Sequence, residues 1–91
     1  MEECIEREQV RYSVHFNILL GQHKLSYLRV LRQLKRSRRA EQHDYFKGND
    51  EIPCFGFVAG KTADNPALTF VVSFEREPDG AVYLWIQEFH P

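Results

Sequence analysis

The C-terminal half of the chain contains three short segments in which apolar residues alternate with other residues, as they do along a half-buried β-strand. The segments cover residues 54–59, 68–74 and 81–89. The connections between them include Asp-Asn-Pro at 64–66 and Asp-Gly at 79–80, both typical of turns. Strands joined by short turns pair antiparallel. The sequence therefore predicts an antiparallel sheet of three to four strands.

The last of these segments is apolar on both sides, which is typical of a strand inside a sheet rather than at its edge. A single helical layer can cover only one side of this strand. The side with Tyr83 and Trp85 is then either a partner surface or is covered by residues 1–20. The two sides consist of Val82, Leu84 and Ile86 on one and Tyr83, Trp85 and Phe89 on the other.

Residues 25–34 carry leucine at every third position, the spacing of an apolar stripe on an amphipathic helix. Cations occupy the remaining helix surface, and the helix is expected to break near Ser37. A short second helix or turn over residues 40–46 would end at Gly48, because glycine suits a helix C-terminus. The prediction is an α+β fold in which a basic helical hairpin, residues 25–46, packs on the antiparallel sheet.

The stretch before this helix fits two different structures. Every second residue over 12–18 is apolar, which favours a fourth strand. A helix starting near Ser13 is the alternative, because Phe16 and Leu19 also match helical spacing. Residues 1–10 are expected to form a loose acidic arm.

Length and composition restrict the class of protein. A chain of 91 residues with 43% hydrophobic residues is expected to fold as one domain, residues 1–91. The acidic N-terminus does not resemble a signal peptide, and no apolar stretch approaches the roughly 20 residues that cross a bilayer. A cytoplasmic protein without membrane contact is expected. The two cysteines and four histidines lack metal-ligand spacing, so neither a metal nor a cofactor is expected.

Charge is distributed unevenly along the chain. The formal net charge is −1, yet residues 1–10 carry −3, residues 11–47 carry +7 and residues 48–91 carry −5. Such asymmetry favours a basic face that binds an anionic partner, namely RNA, DNA or an acidic protein surface. It also allows the acidic N-terminal arm to fold over that face.

The strongest functional signal is a run of six cations within eleven residues. Clustered cations bind nucleic acid because neutralising phosphates releases condensed counterions, and arginine adds bidentate phosphate recognition. The competing interpretation is a solvated helix face that balances the acidic half of the chain. Lys61 and Arg76, beside the central strands, are further candidates for phosphate contacts, although ordinary solvation explains them better. The predicted nucleic-acid-binding residues are Arg29, Arg32, Lys35, Arg36, Arg38 and Arg39.

Histidines supply the candidates for catalysis. Cleavage of RNA by its own 2′-hydroxyl needs a general base, a general acid and a cation near the phosphate, and histidine suits the first two roles. Alternation places Glu88 and His90 on one face of the last strand. Each histidine taken alone is more often an ordinary surface or capping residue. The candidate catalytic residues are His90, His15 and His43, assisted by Glu88.

The order of elements resembles the RelE/ParE-type toxin superfamily and its BrnT-like or phage-associated relatives. Residues 12–16, Tyr-Ser-Val-His-Phe, are similar to the YSxHA-like start of some of those domains. Segments 69–74 and 82–86, joined by the turn at 79–80, resemble their terminal hairpin, and residues 88–90 resemble their aromatic-plus-basic ending. The resemblance spans most of the chain. It implies a RelE-like order of elements, an RNA substrate and an antitoxin partner.

Three functions follow from these patterns. The favoured one is a small binding module or inhibitor of phage or mobile-element type, whose basic helix grips RNA, DNA or a nucleic-acid enzyme. The alternative is a RelE-like, metal-independent endoribonuclease of a toxin–antitoxin pair. Such ribonucleases commonly carry an arginine in the strand before the final turn, where this chain has Thr69 and Ser73, and this difference favours the binding module. The third is a homo-oligomeric assembly subunit, for example a homodimer, whose last strand pairs with its own copy.

Overall fold

The computed structural model describes residues 2–40, 45–47, 52–63 and 65–91. It has an α+β fold, as the sequence predicts. Three helices and three short strands precede the segments that form most of the sheet. In chain order the elements are α1 (Glu2–Glu6), β1 (Val10–Tyr12), α2 (Val14–His23), α3 (Tyr27–Lys35), β2 (Arg38–Arg39), β3 (Tyr45–Lys47), β4 (Ile52–Ala59), β5 (Leu68–Arg76) and β6 (Val82–His90).

The central sheet is a mixed sheet with the strand order β1-β6-β5-β4-β2. The antiparallel pairing of β4, β5 and β6 is confirmed, and β3 pairs with the start of β4. β1 overlaps the start of the predicted fourth strand, but the sequence does not predict its parallel pairing with β6, Val10 opposite Leu84. β6 therefore lies inside the sheet, as expected for a strand that is apolar on both sides. Leu84–Ile86 pair within the chain on both edges, which leaves them no free edge for a second copy.

The core lies between the helices and one face of the sheet. Leu68, Phe70 and Val72 of β5 are buried against the helices, as the alternation predicts. Phe74, predicted on the same face, is 40% exposed, and Val71 on the other face is also buried, so burial does not follow the alternation along the whole strand. Burial of these side chains is the main source of stability in a domain of this size. The buried residues that α1, α2 and α3 contribute are Cys4, Phe16, Leu19, Val30 and Leu34, and those from the sheet are Ala59, Leu68, Phe70, Val72, Leu84, Ile86 and Phe89.

A β-bulge in β6 changes the predicted position of Phe89. Val71 pairs with Glu88 while Val72 pairs with Ile86, so Gln87 is the extra residue. One extra residue exchanges the two faces of the strand beyond it. Phe89 therefore lies in the core, fully buried, and its predicted place on the face of Tyr83 and Trp85 is wrong.

The stretch over 12–18 adopts the helical alternative. β1 ends at Tyr12, and the Ser13 hydroxyl accepts a hydrogen bond from the Phe16 N–H at 3.0 Å, which caps the first turn of α2. The Ser13 N–H donates to the Ile86 carbonyl at 3.1 Å and fixes the cap against β6. The predicted strand is thus wrong beyond Tyr12, because the side-chain cap and the packing of Phe16 outweigh the alternation.

The basic helical hairpin does not form as predicted. α3 ends at Lys35, and Arg38 and Arg39 pair with Val58 and Phe57 of β4. The predicted second helix or turn over 40–46 is wrong at Tyr45 and Phe46, which belong to β3, while residues 41–44 lie outside the described residues. The Ala40 N–H donates to the Gly56 carbonyl at 2.8 Å. Pairing with β4 therefore gives these backbone groups the hydrogen bonds that a helix would otherwise have provided.

The apolar stripe of α3 is also shifted from the predicted one. Leu28, which was placed on the buried stripe, is 63% exposed, and the buried positions are Val30, Gln33 and Leu34.

Within the described part of the chain, no helix is both long and apolar enough to span a membrane.

Two glycines provide a test of the backbone geometry. Gly80 has a φ angle of +91°, whereas Gly21 lies inside α2 with open space where a Cβ would project. We expect Gly80→Ala to lower the free energy of unfolding by about 1–2 kcal/mol because of backbone strain. Gly21→Ala should raise it by about 0.5–1 kcal/mol, because alanine favours the helix. Urea denaturation measures both changes. If both variants changed the free energy of unfolding in the same direction, the result would contradict the positive φ angle of Gly80.

Candidate functional site

A cationic groove lies between α3 and the loop that follows β4. Arg29 and Arg32 on α3, and Arg36 at its C-cap, are exposed and line up on one side, since residues three, four and seven apart share a helix face. The opposite side is formed by Gly60, Lys61 and Thr62, and the groove encloses about 500 Å³. We refer to Arg29, Arg32, Arg36 and Lys61 as the basic groove.

A buried amide holds the loop of this groove in place. The Gln33 Nε2 atom donates to the Gly60 carbonyl at 3.1 Å and to the Pro66 carbonyl at 2.7 Å. Its Oε1 atom accepts a hydrogen bond from Asn65 Nδ2 at 3.0 Å. Gln33 is only 3% exposed, so these hydrogen bonds are shielded from water. The backbone on both sides of Lys61 is therefore fixed against α3.

Three of the four cations in the basic groove have no acidic partner within the described part of the chain. Arg32, Arg36 and Lys61 form no ion pair with any residue that the structure describes, and no described residue lining the groove is acidic. Asp64 belongs to the same loop but lies outside the described residues. Cations held close together repel one another, and a bound anion removes that repulsion.

The remaining cations of the predicted set do not line this groove. Lys35 Nζ lies 3.2 Å from Glu6 Oε1, so the acidic N-terminal helix pairs with the basic helix at this point. Arg38 and Arg39 belong to β2, and the Arg39 guanidinium lies 4.6 Å from the ring centroid of Phe55. The helical placement of these two arginines is therefore wrong. Arg76 lies at the end of β5 that joins the β5–β6 turn, away from Lys61.

The second feature is a cluster of His15, Glu88 and His90, which we call the histidine cluster. The Nε2 atoms of His15 and His90 each lie 3.6 Å from the same oxygen, Glu88 Oε2. Both imidazoles are exposed, whereas the Glu88 side chain is mostly covered. The structure thus brings together three of the four candidate catalytic residues. The fourth, His43, lies outside the described residues.

Two elements far apart in sequence build the histidine cluster. His15 is the second residue of α2, and the Ser13 cap anchors the start of that helix to β6 through the Ile86 and Gln87 carbonyls. Glu88 and His90 lie beyond the bulge of β6. Among the described residues, no group of three or more His, Cys, Asp or Glu side chains is arranged to hold a metal ion.

The basic groove and the histidine cluster lie at the same end of the sheet. Ala59, beside the groove, pairs with Leu68, and the next residue, Thr69, pairs with His90. Two strand spacings separate β4 from β6, which is about 10 Å. Glu88 and His90 flank the buried Phe89, so they project from the face opposite the helices, while the groove lies on the helical side.

The predicted partner surface at Tyr83 and Trp85 carries a set of polar contacts. The Arg11 guanidinium lies 2.5 Å from Glu75 and 2.6 Å from Glu77, and 4.0 Å from the ring centroid of Tyr83. The hydrogen bond with Glu77 raises the pKa of Arg11 above its ordinary value, so it stays charged. Trp85 Nε1 donates to Glu75 Oε2 at 2.9 Å. Both aromatic rings remain half-buried.

Sequence reasoning missed the polar residues that support the basic groove, namely Gln33, Thr62 and Asn65. A signal for Gln33 exists, since it lies on the same helix stripe as Val30 and Leu34. The resemblance to RelE/ParE-type toxins stays a prediction. Comparisons of the chain with protein-family models, with curated proteins and with solved structures find no match in any of the three.

Proposed function

We propose that this protein is a nucleic-acid-binding module that holds a phosphate backbone in the basic groove. The observation that carries the proposal is the row of Arg29, Arg32 and Arg36 facing Lys61 across a loop fixed by Gln33. Four cations converge on one concave surface, although the chain as a whole has a net charge of −1. Local concentration of charge, rather than overall charge, therefore attracts the ligand.

The chemistry of the basic groove favours phosphate over other anions. Three of the four cations are arginines, whose planar guanidinium groups bind phosphate oxygens with two parallel hydrogen bonds. From Arg29 to Arg36 the helix rises by about 10 Å, longer than one phosphate group, so successive phosphates fit better than a single ion. Because the loop is already fixed, binding requires little ordering of the backbone.

Charge reversal at Arg32 and Arg36 tests this proposal. We expect Arg32→Glu with Arg36→Glu to weaken binding of a fluorescein-labelled 12-nucleotide single-stranded RNA at least 100-fold, because phosphate contacts are lost and repulsion is added. The slope of log K against log salt concentration should fall in magnitude by about 2, one for each lost phosphate contact. Fluorescence anisotropy over a salt series measures both quantities, and DNA of the same sequence shows which nucleic acid is preferred.

The matched control is Arg7→Glu with Arg76→Glu, which changes the net charge equally at exposed positions outside the groove. The control should bind within a few-fold of the parent protein. Equal weakening by both double variants would show that net charge, not the basic groove, drives binding. Absence of RNA and DNA binding by the parent protein at low salt would refute the proposal outright.

A further inference from the structure

We infer that the histidine cluster is an acid–base site that cleaves single-stranded RNA. The inference rests on the proposed function, because the basic groove would hold the strand that the cluster cuts. Its basis is the convergence of two imidazoles on one carboxylate oxygen, at the end of the sheet that also carries the basic groove.

The geometry of the cluster suits two proton transfers at one phosphate. Because both Nε2 atoms lie 3.6 Å from Glu88 Oε2, they are at most about 7 Å apart. Both rings are exposed and so can reach the hydroxyl and the leaving oxygen of a bound nucleotide. The bulge at Gln87 sets the direction of Glu88 and His90, and β-bulges commonly re-aim side chains beside active sites.

The reaction needs no group beyond the chain and its substrate. One imidazole accepts the proton of the 2′-hydroxyl, and the 2′-oxygen forms a bond to phosphorus. The bond between phosphorus and the 5′-oxygen breaks, and the second imidazole, initially protonated, donates its proton to that leaving oxygen. The products are a 2′,3′-cyclic phosphate and a 5′-hydroxyl. Proton exchange with water then restores both histidines.

Glu88 acts as a positioning residue in this scheme. Its carboxylate faces both imidazoles and stabilises whichever of them is protonated. The attacking group is the 2′-hydroxyl, which DNA lacks, so the cluster selects RNA. A strand seated in the basic groove reaches the cluster by passing around the end of β5 and β6, where Thr69 pairs with His90.

The test uses the full chain with labelled single-stranded RNA, with EDTA present. We expect the parent protein to yield 2′,3′-cyclic phosphate ends, identified by mass spectrometry, and to leave DNA of the same sequence intact. His15→Ala and His90→Ala should each lower kcat at least 100-fold with RNA affinity retained. His23→Ala, which removes an exposed histidine at the other end of α2, is the control and should cleave as the parent does.

Two further measurements separate this inference from the proposed function. Glu88→Gln should lower kcat while leaving KM unchanged, which a change in strand binding would not do. A dinucleotide substrate, too short to span the groove and the cluster, should still be cleaved by Arg32→Glu with Arg36→Glu. Urea midpoints equal to that of the parent would show that each variant is folded. RNA that is bound but left intact would overturn the inference and leave the proposed function standing, whereas cleavage of the dinucleotide without binding of longer RNA would overturn only the proposed function.

Discussion

Replacing Phe89 with alanine is expected to lower the free energy of unfolding by about 3–5 kcal/mol, the usual cost of removing a buried phenylalanine. The ring is fully buried and lies 5.4 Å from the Phe16 ring and 6.3 Å from the Phe70 ring, so it joins α2 to the sheet. Domains of this kind are stable by only about 5–15 kcal/mol in total. The variant should therefore lose a large fraction of its stability.

Urea denaturation followed by circular dichroism measures this effect, with Phe74→Ala as the control. Phe74 is the same residue type on the neighbouring strand but is 40% exposed, and its replacement should cost much less. The comparison also tests the bulge at Gln87. If strict alternation continued through β6, Phe89 would lie on the face away from the helices, and the two variants would have similar midpoints.

Replacing Gln33 with leucine is expected to cost about 3–4 kcal/mol, because the new side chain fills the space but offers no hydrogen bond. The Gly60 and Pro66 carbonyls would lose their donor, and the Asn65 amide would lose its acceptor. Each buried polar group left without a partner costs about 1–3 kcal/mol. We also expect RNA affinity to fall at least tenfold, since the loop that carries Lys61 would no longer be held against α3.

The control for this prediction is Gln22→Leu, the same change at an exposed position of α2, which should alter stability by less than about 0.5 kcal/mol. Stability comes from urea denaturation and affinity from anisotropy. A Gln33→Leu variant as stable as the parent would mean that the buried amide does not hold the loop. A destabilised variant with full RNA affinity would show that RNA binding does not require the loop to be held against α3.

The sheet was the part of the fold most readable from sequence. β4, β5 and β6 each alternate over several residues, and the Asp-Gly turn at 79–80 joins the last two. Patterns of period two report which face a side chain occupies, provided that no residue is inserted. Phe89 was misplaced for that reason, since the bulge at Gln87 depends on the partner strand and leaves no mark in the alternation.

The helical region was harder to predict because short elements there depend on distant partners. Residues 12–18 fit both a strand and a helix, and the choice is made by the Ser13 cap together with pairing of β1 to β6. Arg38 and Arg39 continue the basic run of the helix in sequence. They form a strand instead, because their backbone pairs with the edge of β4. Local propensity is a weak guide where tertiary pairing competes with it.

The candidate site was only partly readable from sequence for the same physical reason. Glu88 and His90 could be placed together from alternation alone, because they are neighbours on one strand. The approach of His15 requires β1 to pair with β6, which no local pattern reports. Arg29, Arg32 and Arg36 follow from helical spacing, whereas the position of Lys61 across from them depends on the buried hydrogen bonds of Gln33.

The parallel pairing of β1 with β6 has a consequence for the protein during translation. Val10 leaves the ribosome 74 residues before its partner Leu84, so at about 5–20 residues per second the wait lasts roughly 4–15 s. During that interval α2 has no strand on which to bury Phe16 and Leu19. Until residues 82–90 have emerged, the nascent chain is therefore expected to expose these two apolar side chains to water.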